Sequence, residues 1–242
     1  MKGLLVVVEG IGGSGKGTLL DKVEQWCKDS RIEYVRTLTL GGTFEADFLR
    51  ELCRKGIPNS STELSPMAQA LLFNAARAEN LDKVILPALR AGRVVLCDRF
   101  LDSTLAYQGS EKGIDPSVLR EIHNHAHDDL LPDVTFLLDG NPEIFQKRIH
   151  PEEFENDKFD RLEMDRQHRV RDLYLESAKW QWGSKTYHVI DAEVNADQVF
   201  AQVLPYLMNL HNQLKRRPMG EFVDMSPVWE GTVTRQDAGI TS

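Results

Sequence analysis

Between positions 10 and 18 the chain reads Gly10-Ile11-Gly12-Gly13-Ser14-Gly15-Lys16-Gly17-Thr18. Glycines at this density let backbone N–H groups close on phosphate oxygens, and a lysine among them supplies a full positive charge. The spacing from Gly10 to Gly15-Lys16 fits GxxxxGK. Gly17 stands where the strict pattern has a hydroxyl, and Thr18 brings one a position later. A second pair of reactive types lies at Asp98-Arg99. A carboxylate suits a hard cation such as Mg2+, and a guanidinium can fork onto a phosphate. In isolation such a pair is more commonly a structural ion pair at a strand end; a phosphate loop elsewhere in the chain favours the chemical reading.

These residues need a frame. Leu4-Leu5-Val6-Val7-Val8 reads as a buried strand that runs into the glycine loop, and Thr18–Lys28 as the amphipathic helix that leaves it. Further strands are expected at Tyr34–Leu40, Val94–Asp98, Val134–Asp139 and Tyr187–Ile190, with helices at Thr43–Lys55 and Ala196–Leu214 among those between them. Ser65-Pro66, Asp115-Pro116 and Asn141-Pro142 each set a capping side chain before a proline at the first helical position. Strands apolar throughout and separated by helices predict an α/β fold: a five-stranded parallel sheet flanked by helices on both faces. Ligands bind such sheets beyond the carboxyl ends of the strands, which is where the glycine loop and Asp98 fall.

Composition narrows the partners. A net charge of −8 argues against a polynucleotide, whose phosphates need a basic face, but leaves room for a small anion in a local basic pocket. Cys27, Cys53 and Cys97 are far apart, odd in number and in hydrophobic contexts, so they read as buried thiols in a reducing, cytoplasmic setting. The first apolar run is too short for a membrane span. Residues 1–214 form the expected domain, residues 150–160 a polar, acidic segment fit either for a lid or for a passive surface loop, and 215–242 a tail that is partly disordered.

The line Asp98-Arg99-Phe100-Leu101-Asp102-Ser103-Thr104-Leu105-Ala106-Tyr107-Gln108 closely resembles the DR(Y/F/H)xxSxxAYQ signature of thymidylate kinases, which are P-loop nucleoside monophosphate kinases. Leu71-Leu72-Phe73-Asn74-Ala75-Ala76-Arg77-Ala78-Glu79 resembles the family's LLFxAxRAxH helix. Leu131-Pro132-Asp133, Asp160-Arg161-Leu162-Glu163 and Arg169-Val170-Arg171-Asp172-Leu173-Tyr174-Leu175-Glu176 resemble its LPD, DRxE and RVRxxYLE blocks. The resemblance runs in order over most of residues 1–210.

What the resemblance implies is transfer of the ATP γ-phosphoryl group to the 5′-monophosphate of a pyrimidine deoxynucleotide, dTMP or a close relative. The acceptor is already an anionic oxygen, so the work is alignment and charge neutralisation rather than proton removal. Lys16 and the amides from Gly10 to Thr18 would hold ATP, and Thr18 and Asp98 would hold Mg2+. Arg50 and Arg99 would take the acceptor phosphate, Phe73 would stack on the base, and Arg77 would reach the base edge or the phosphate. Ser103, Thr104, Tyr107 and Gln108 would line the base and sugar pocket, and Lys158 and Arg161, with Arg148 behind them, would bring positive charge from the lid. A homodimer is implied as well. On spacing alone, Phe73 fits plain core, Arg50 fits a solvated helix charge, and Lys158 fits pairing with the acidic residues around it.

Three departures from the family pattern cluster around the acceptor and metal. Gly12 replaces an acidic or arginine residue, Leu38-Thr39-Leu40-Gly41-Gly42-Thr43 replaces REPGGT, and Gly17-Thr18 follows the GKGT style of adenylate-type kinases. They open two alternatives: a kinase for a broader or modified-base set of deoxynucleotides, and a non-catalytic nucleotide-binding interaction module. Two minor clusters have bland readings. His123, His125 and His127 read as a solvated helix end rather than a metal site, and Lys215-Arg216-Arg217 as charges answering a helix dipole.

Overall fold

The computed structural model describes residues 3–56, 64–110, 113–127, 130–149 and 163–216. In chain order these form β1 (Leu4–Glu9), α1 (Lys16–Asp29), β2 (Tyr34–Leu38), α2 (Phe44–Lys55) and α3 (Pro66–Asn80). A π-helical turn, Leu81–Ile85, joins α3 to α4 (Leu86–Arg90), which leads to β3 (Val94–Asp98). Next come α5 (Leu101–Thr104), its π-helical continuation Leu105–Ser110, and α6 (Pro116–His127). The chain closes with β4 (Val134–Asp139), α7 (Pro142–Gln146), α8 (Met164–Trp180), β5 (Tyr187–Asp191) and α9 (Ala196–Arg216).

The five strands form one parallel sheet in the order β2-β3-β1-β4-β5. Because strand side chains alternate between faces, a strand apolar at every position is stable only with cover on both sides. β1 and β3 show it directly. Val6, Val8, Val94 and Leu96 enter one hydrophobic cluster, while Leu5, Val7, Val95 and Cys97 enter the other. The edge strands β2 and β5 are only half buried, as cover from one neighbour allows. All three cysteines are buried free thiols, as their contexts predict.

Several boundaries move. Helix α1 begins at Lys16 rather than Thr18, because Gly15 adopts a left-handed conformation (φ 92°) that lets the helix start directly after it. β2 stops at Leu38 rather than Leu40, where a turn closes from the Gly41 N–H to the Leu38 carbonyl. Thr43 is the cap of α2, its hydroxyl accepting from the Ala46 N–H at 3.1 Å, and not its first residue. β5 gains Asp191, and α9 continues to Arg216, taking in the first two residues of the expected tail. The three proline-flanked starts hold: Ser65, Asp115 and Asn141 each accept a backbone N–H at the head of their helix.

The histidine cluster follows its solvated reading at His125, which is exposed, but not at His123. Among the described residues no group of three or more His, Cys, Asp or Glu side chains is placed to hold a metal. His123 is not solvated but fully buried, its Nε2 3.3 Å from the Leu130 carbonyl and its ring edge-on to Phe100. The helical period turned it inward onto the α5 side of the core. No described helix is long and apolar enough to cross a membrane.

Candidate active site

The register places Val8 of β1 opposite Asp98 of β3, so the glycine loop and the Asp98-Arg99 pair leave the sheet side by side. The loop turns on two glycines in left-handed conformations, Gly13 (φ 72°) and Gly15 (φ 92°). A Cβ on Gly13 would lie 2.2 Å from the Phe145 carbonyl oxygen, so only glycine fits there. Helix α1 then begins with no side-chain cap and no acidic residue in its first turn. Its leading N–H groups and the positive end of its dipole are thus left for an anion from outside the chain.

Lys16 is buried, and its Nζ donates to the carbonyls of Gly10 (3.0 Å) and Ile11 (2.9 Å) within its own loop. The ammonium is thereby held at the mouth of the glycine turn. Ser14 is also buried, and its hydroxyl has no hydrogen-bond partner among the described residues. Gly17 and Thr18 are exposed on the first turn of α1.

Asp98 ends β3 with a buried Oδ1 that has no hydrogen-bond partner among the described residues. An ionised oxygen without a donor is costly, so this atom suits a cation or its waters. The residues present fit Mg2+ bound the way that ion prefers, through one protein carboxylate with phosphates and water supplying the rest.

Arg99 follows in a left-handed conformation (φ 64°), a strain of about 1–2 kcal/mol that persists only where surroundings impose it. Its N–H donates to the Val8 carbonyl, and the next N–H, of Phe100, donates to Glu9 Oε1 at 2.6 Å. Glu9 is fully buried and accepts from the Ser103 N–H and hydroxyl as well, which fastens α5 to the end of β1. The Arg99 guanidinium turns back toward the loop: Nη1 lies 3.2 Å from the Gly10 carbonyl, 3.2 Å from Ser103 Oγ and 3.1 Å from the Tyr174 hydroxyl, and the group sits over the Tyr107 ring.

Arg77 is completely buried. Its guanidinium donates to Thr39 Oγ1, Asn74 Oδ1, the Phe100 carbonyl and Thr104 Oγ1, all uncharged acceptors. Burial lowers its pKa to about 10, opposed first by the nearby charge of Glu9. It remains a cation at neutral pH. Thr39 takes the place of the family's glutamate, so in this chain a hydroxyl faces the guanidinium where the family pattern has a carboxylate. Phe73 is buried on the same helix outside the two main hydrophobic clusters. Tyr107 and Gln108 lie on the π-helical turn, both buried, and Gln108 Nε2 has no partner among the described residues.

Not every expected residue joins this group. Arg50, half buried, pairs with Asp47 (3.4 Å) and Glu51 (3.9 Å) of its own helix. Arg148 donates to the carbonyls of Ala192 (2.6 Å) and Glu193 (2.9 Å) after β5 and stacks over Phe145. The hydroxyls of Ser103 and Thr104 are engaged by Glu9, Tyr174 and Arg77. Lys158, Arg161 and the 150–160 segment lie outside the described residues, as do residues 217–242.

Four residues of the site were missed by sequence reasoning: Glu9, Thr39, Asn74 and Tyr174. Glu9 had a signal, since a lone carboxylate ending an apolar strand must find donors. Tyr174 stood in a quoted block, but nothing local tells that it reaches Arg99.

Comparison with known proteins gives the family. The thymidylate kinase family model matches residues 8–203. The thymidylate kinase of Ligilactobacillus salivarius is 38% identical over 212 residues, covering 86% of this chain and 99% of that protein. That of Pelotomaculum thermopropionicum is 38% identical over 204 residues, covering 84% and 92%. That of Bifidobacterium longum subsp. infantis is 35% identical over 203 residues, covering 84% and 85%.

Proposed function

Because the chain belongs to the thymidylate kinase family, we propose that it is the phosphotransferase its site is built for, ATP + dTMP giving ADP + dTDP. The observation that carries this reading is the pairing, at one sheet edge, of an uncapped glycine loop holding Lys16 with Asp98 and Arg99. The first can bind a triphosphate. The second can bind a cation and a second phosphate, and phosphoryl transfer needs the two held in line.

In this scheme Lys16 leaves the Gly10 and Ile11 carbonyls for the donor phosphates, and the first amides of α1 take the remaining oxygens. Asp98, with its unpartnered Oδ1, and Thr18 would hold Mg2+, which supplies charge neutralisation when bound. Arg99 orients the acceptor phosphate, with Arg50 beside it once released from Asp47. Phe73, Arg77, Tyr107 and Gln108 line the base and sugar pocket, with Ser103 and Thr104 fixing the walls through their hydroxyls. Lys158 and Arg161 complete the donor side.

The test is a coupled ADP-release assay over a panel of nucleoside monophosphates. We expect dTMP to be the preferred acceptor. Another acceptor better by tenfold or more, about 1.4 kcal/mol of transition-state binding, would move the assignment to a broader or modified-base kinase, where Gly12 and Thr39 point. No turnover with any acceptor would favour the interaction module.

A homodimer is also proposed. Phe44 and Phe48 on α2 and Met67 and Leu71 on α3 are exposed at four-residue spacing, 82%, 62%, 39% and 49% accessible, on two helices packed together. Four large apolar side chains on one helix pair are a poor surface to leave in water. Sedimentation should return twice the mass of one chain; a monomer at micromolar concentration would remove this proposal. The three buried cysteines, none of them in a disulfide, support a reducing, cytoplasmic setting.

A further inference from the structure

Helix α8 carries four polar side chains that reach neighbouring elements: His168, Arg171, Tyr174 and Ser177. Each meets a different piece of the site. His168 Nε2 is 3.0 Å from Glu143 of α7, and Arg171 makes a two-pronged ion pair with Asp139 at the end of β4 (2.6 and 2.8 Å). Tyr174 meets Arg99 and Ser103, and Ser177 donates to Asp102. Tyr174 touches the side chain placed on the acceptor phosphate.

We infer that Tyr174 is a positioning residue for phosphoryl transfer, its buried hydroxyl fixing the direction of the Arg99 guanidinium through a one-way chain that ends on Glu9. The inference rests on the reading of Arg99 given above. The direction follows from counting protons. The Ser103 hydroxyl donates its single proton to Glu9 Oε2 at 2.7 Å. Toward Tyr174, 2.8 Å away, Ser103 can then only accept, so the phenol O–H donates to it. The phenol oxygen keeps its lone pairs for the Arg99 Nη1–H at 3.1 Å. Burial, reinforced by the charge on Glu9, pushes the Tyr174 hydroxyl well above its ordinary range, so the proton stays in place.

Arg99 needs such a support. Its backbone is strained, and its other contacts from Nη1, to Gly10 and Ser103, are both at 3.2 Å. The ring of Tyr174 also packs edge-on against Tyr107, over which the guanidinium lies. Removing the hydroxyl alone therefore leaves the charge and the packing in place and frees the direction. An interaction of that kind acts on kcat more than on nucleotide binding.

The experiment is a double-mutant cycle. Tyr174→Phe is expected to lower kcat about tenfold with the KM for ATP within about twofold, and to keep a thermal midpoint close to that of the parent. Arg99→Lys retains charge without the planar fork, and in that background Tyr174→Phe is expected to cost less than about twofold. Equal losses in both backgrounds would make the tyrosine a structural residue and overturn the inference, as would an unchanged kcat in Tyr174→Phe. Arg99→Ala separates the two levels. If it abolishes transfer while Tyr174→Phe has no effect, the site stands and the positioning role falls. If Arg99→Ala is as active as the parent, the reading of Arg99 falls and takes this inference with it.

Discussion

Lys16→Ala is expected to lower kcat/KM for ATP-dependent phosphoryl transfer by about a thousandfold or more, roughly 4 kcal/mol of transition-state stabilisation. In phosphoryl transfer the protein contributes little covalent chemistry, so charge placed against the transferred group carries most of the effect. Lys16 is the one basic side chain of the glycine loop, and its burial means its charge acts through little water. The structure also separates lost chemistry from lost folding. The ammonium's bonds to the Gly10 and Ile11 carbonyls lie within its own loop, so losing them should cost the thermal midpoint little. Lys16→Arg is not expected to rescue, because a planar fork does not substitute for a compact ammonium that donates to two carbonyls. Activity of Lys16→Ala within tenfold of the parent would show that the glycine loop is not the donor site.

A second large effect is expected on stability, at Asp102. Its carboxyl is fully buried against Gly183, where even a Cβ would come within 2.7 Å, and it accepts from Ser177 and Tyr187. Burial, and then the charge of Glu9, raise its pKa from 3.8 to about 7; the hydrogen bonds and Arg77 only partly oppose them. The sign follows. Between the unfolded value and about 7 the native state holds a proton that the unfolded chain has released, so stability falls as pH rises through this window and levels off above it. At about 1.4 kcal/mol per unit the loss amounts to at most about 4 kcal/mol. Asp102→Asn keeps an acceptor for Ser177 and Tyr187 and cannot ionise. It should match the parent near pH 4 and exceed it by a few kcal/mol near pH 8, read by denaturant unfolding across that range. Parallel pH profiles for the two proteins would refute this.

Asp102 also shows how local residue patterns and tertiary structure divide the work. As a residue type within a recognised signature it is unremarkable, two places after Phe100 and one before Ser103. The burial that raises its pKa is completed by Ser177 of α8, Gly183 and Tyr187 of β5, some 75 to 85 residues later, although the hydrogen bonds from Ser177 and Tyr187 themselves work against that rise. Likewise the π-helical turn that sets Tyr107 and Gln108 has no local signature. It results from packing between α5, α6 and α8.

Residue order alone was enough for the glycine loop, the parallel sheet, the three proline-flanked helix starts and the family. Each depends on short-range rules: which residues tolerate a left-handed backbone, which alternate across a strand, which cap a first turn. It also brought Asp98 and Arg99 to the right edge, because a strand delivers its last residues to a known place. Which side chains hold these groups still depends on the packed fold. Glu9 meets Ser103 across 94 positions and Ser103 meets Tyr174 across 71, separations bridged by sheet order and helix packing rather than by spacing. The same packing turned His123 into the core, gave Arg77 four neutral acceptors, and tied Arg148 to the chain after β5. Backbone preferences are local and were legible; the partners of a buried polar group are set by the whole fold, and were not.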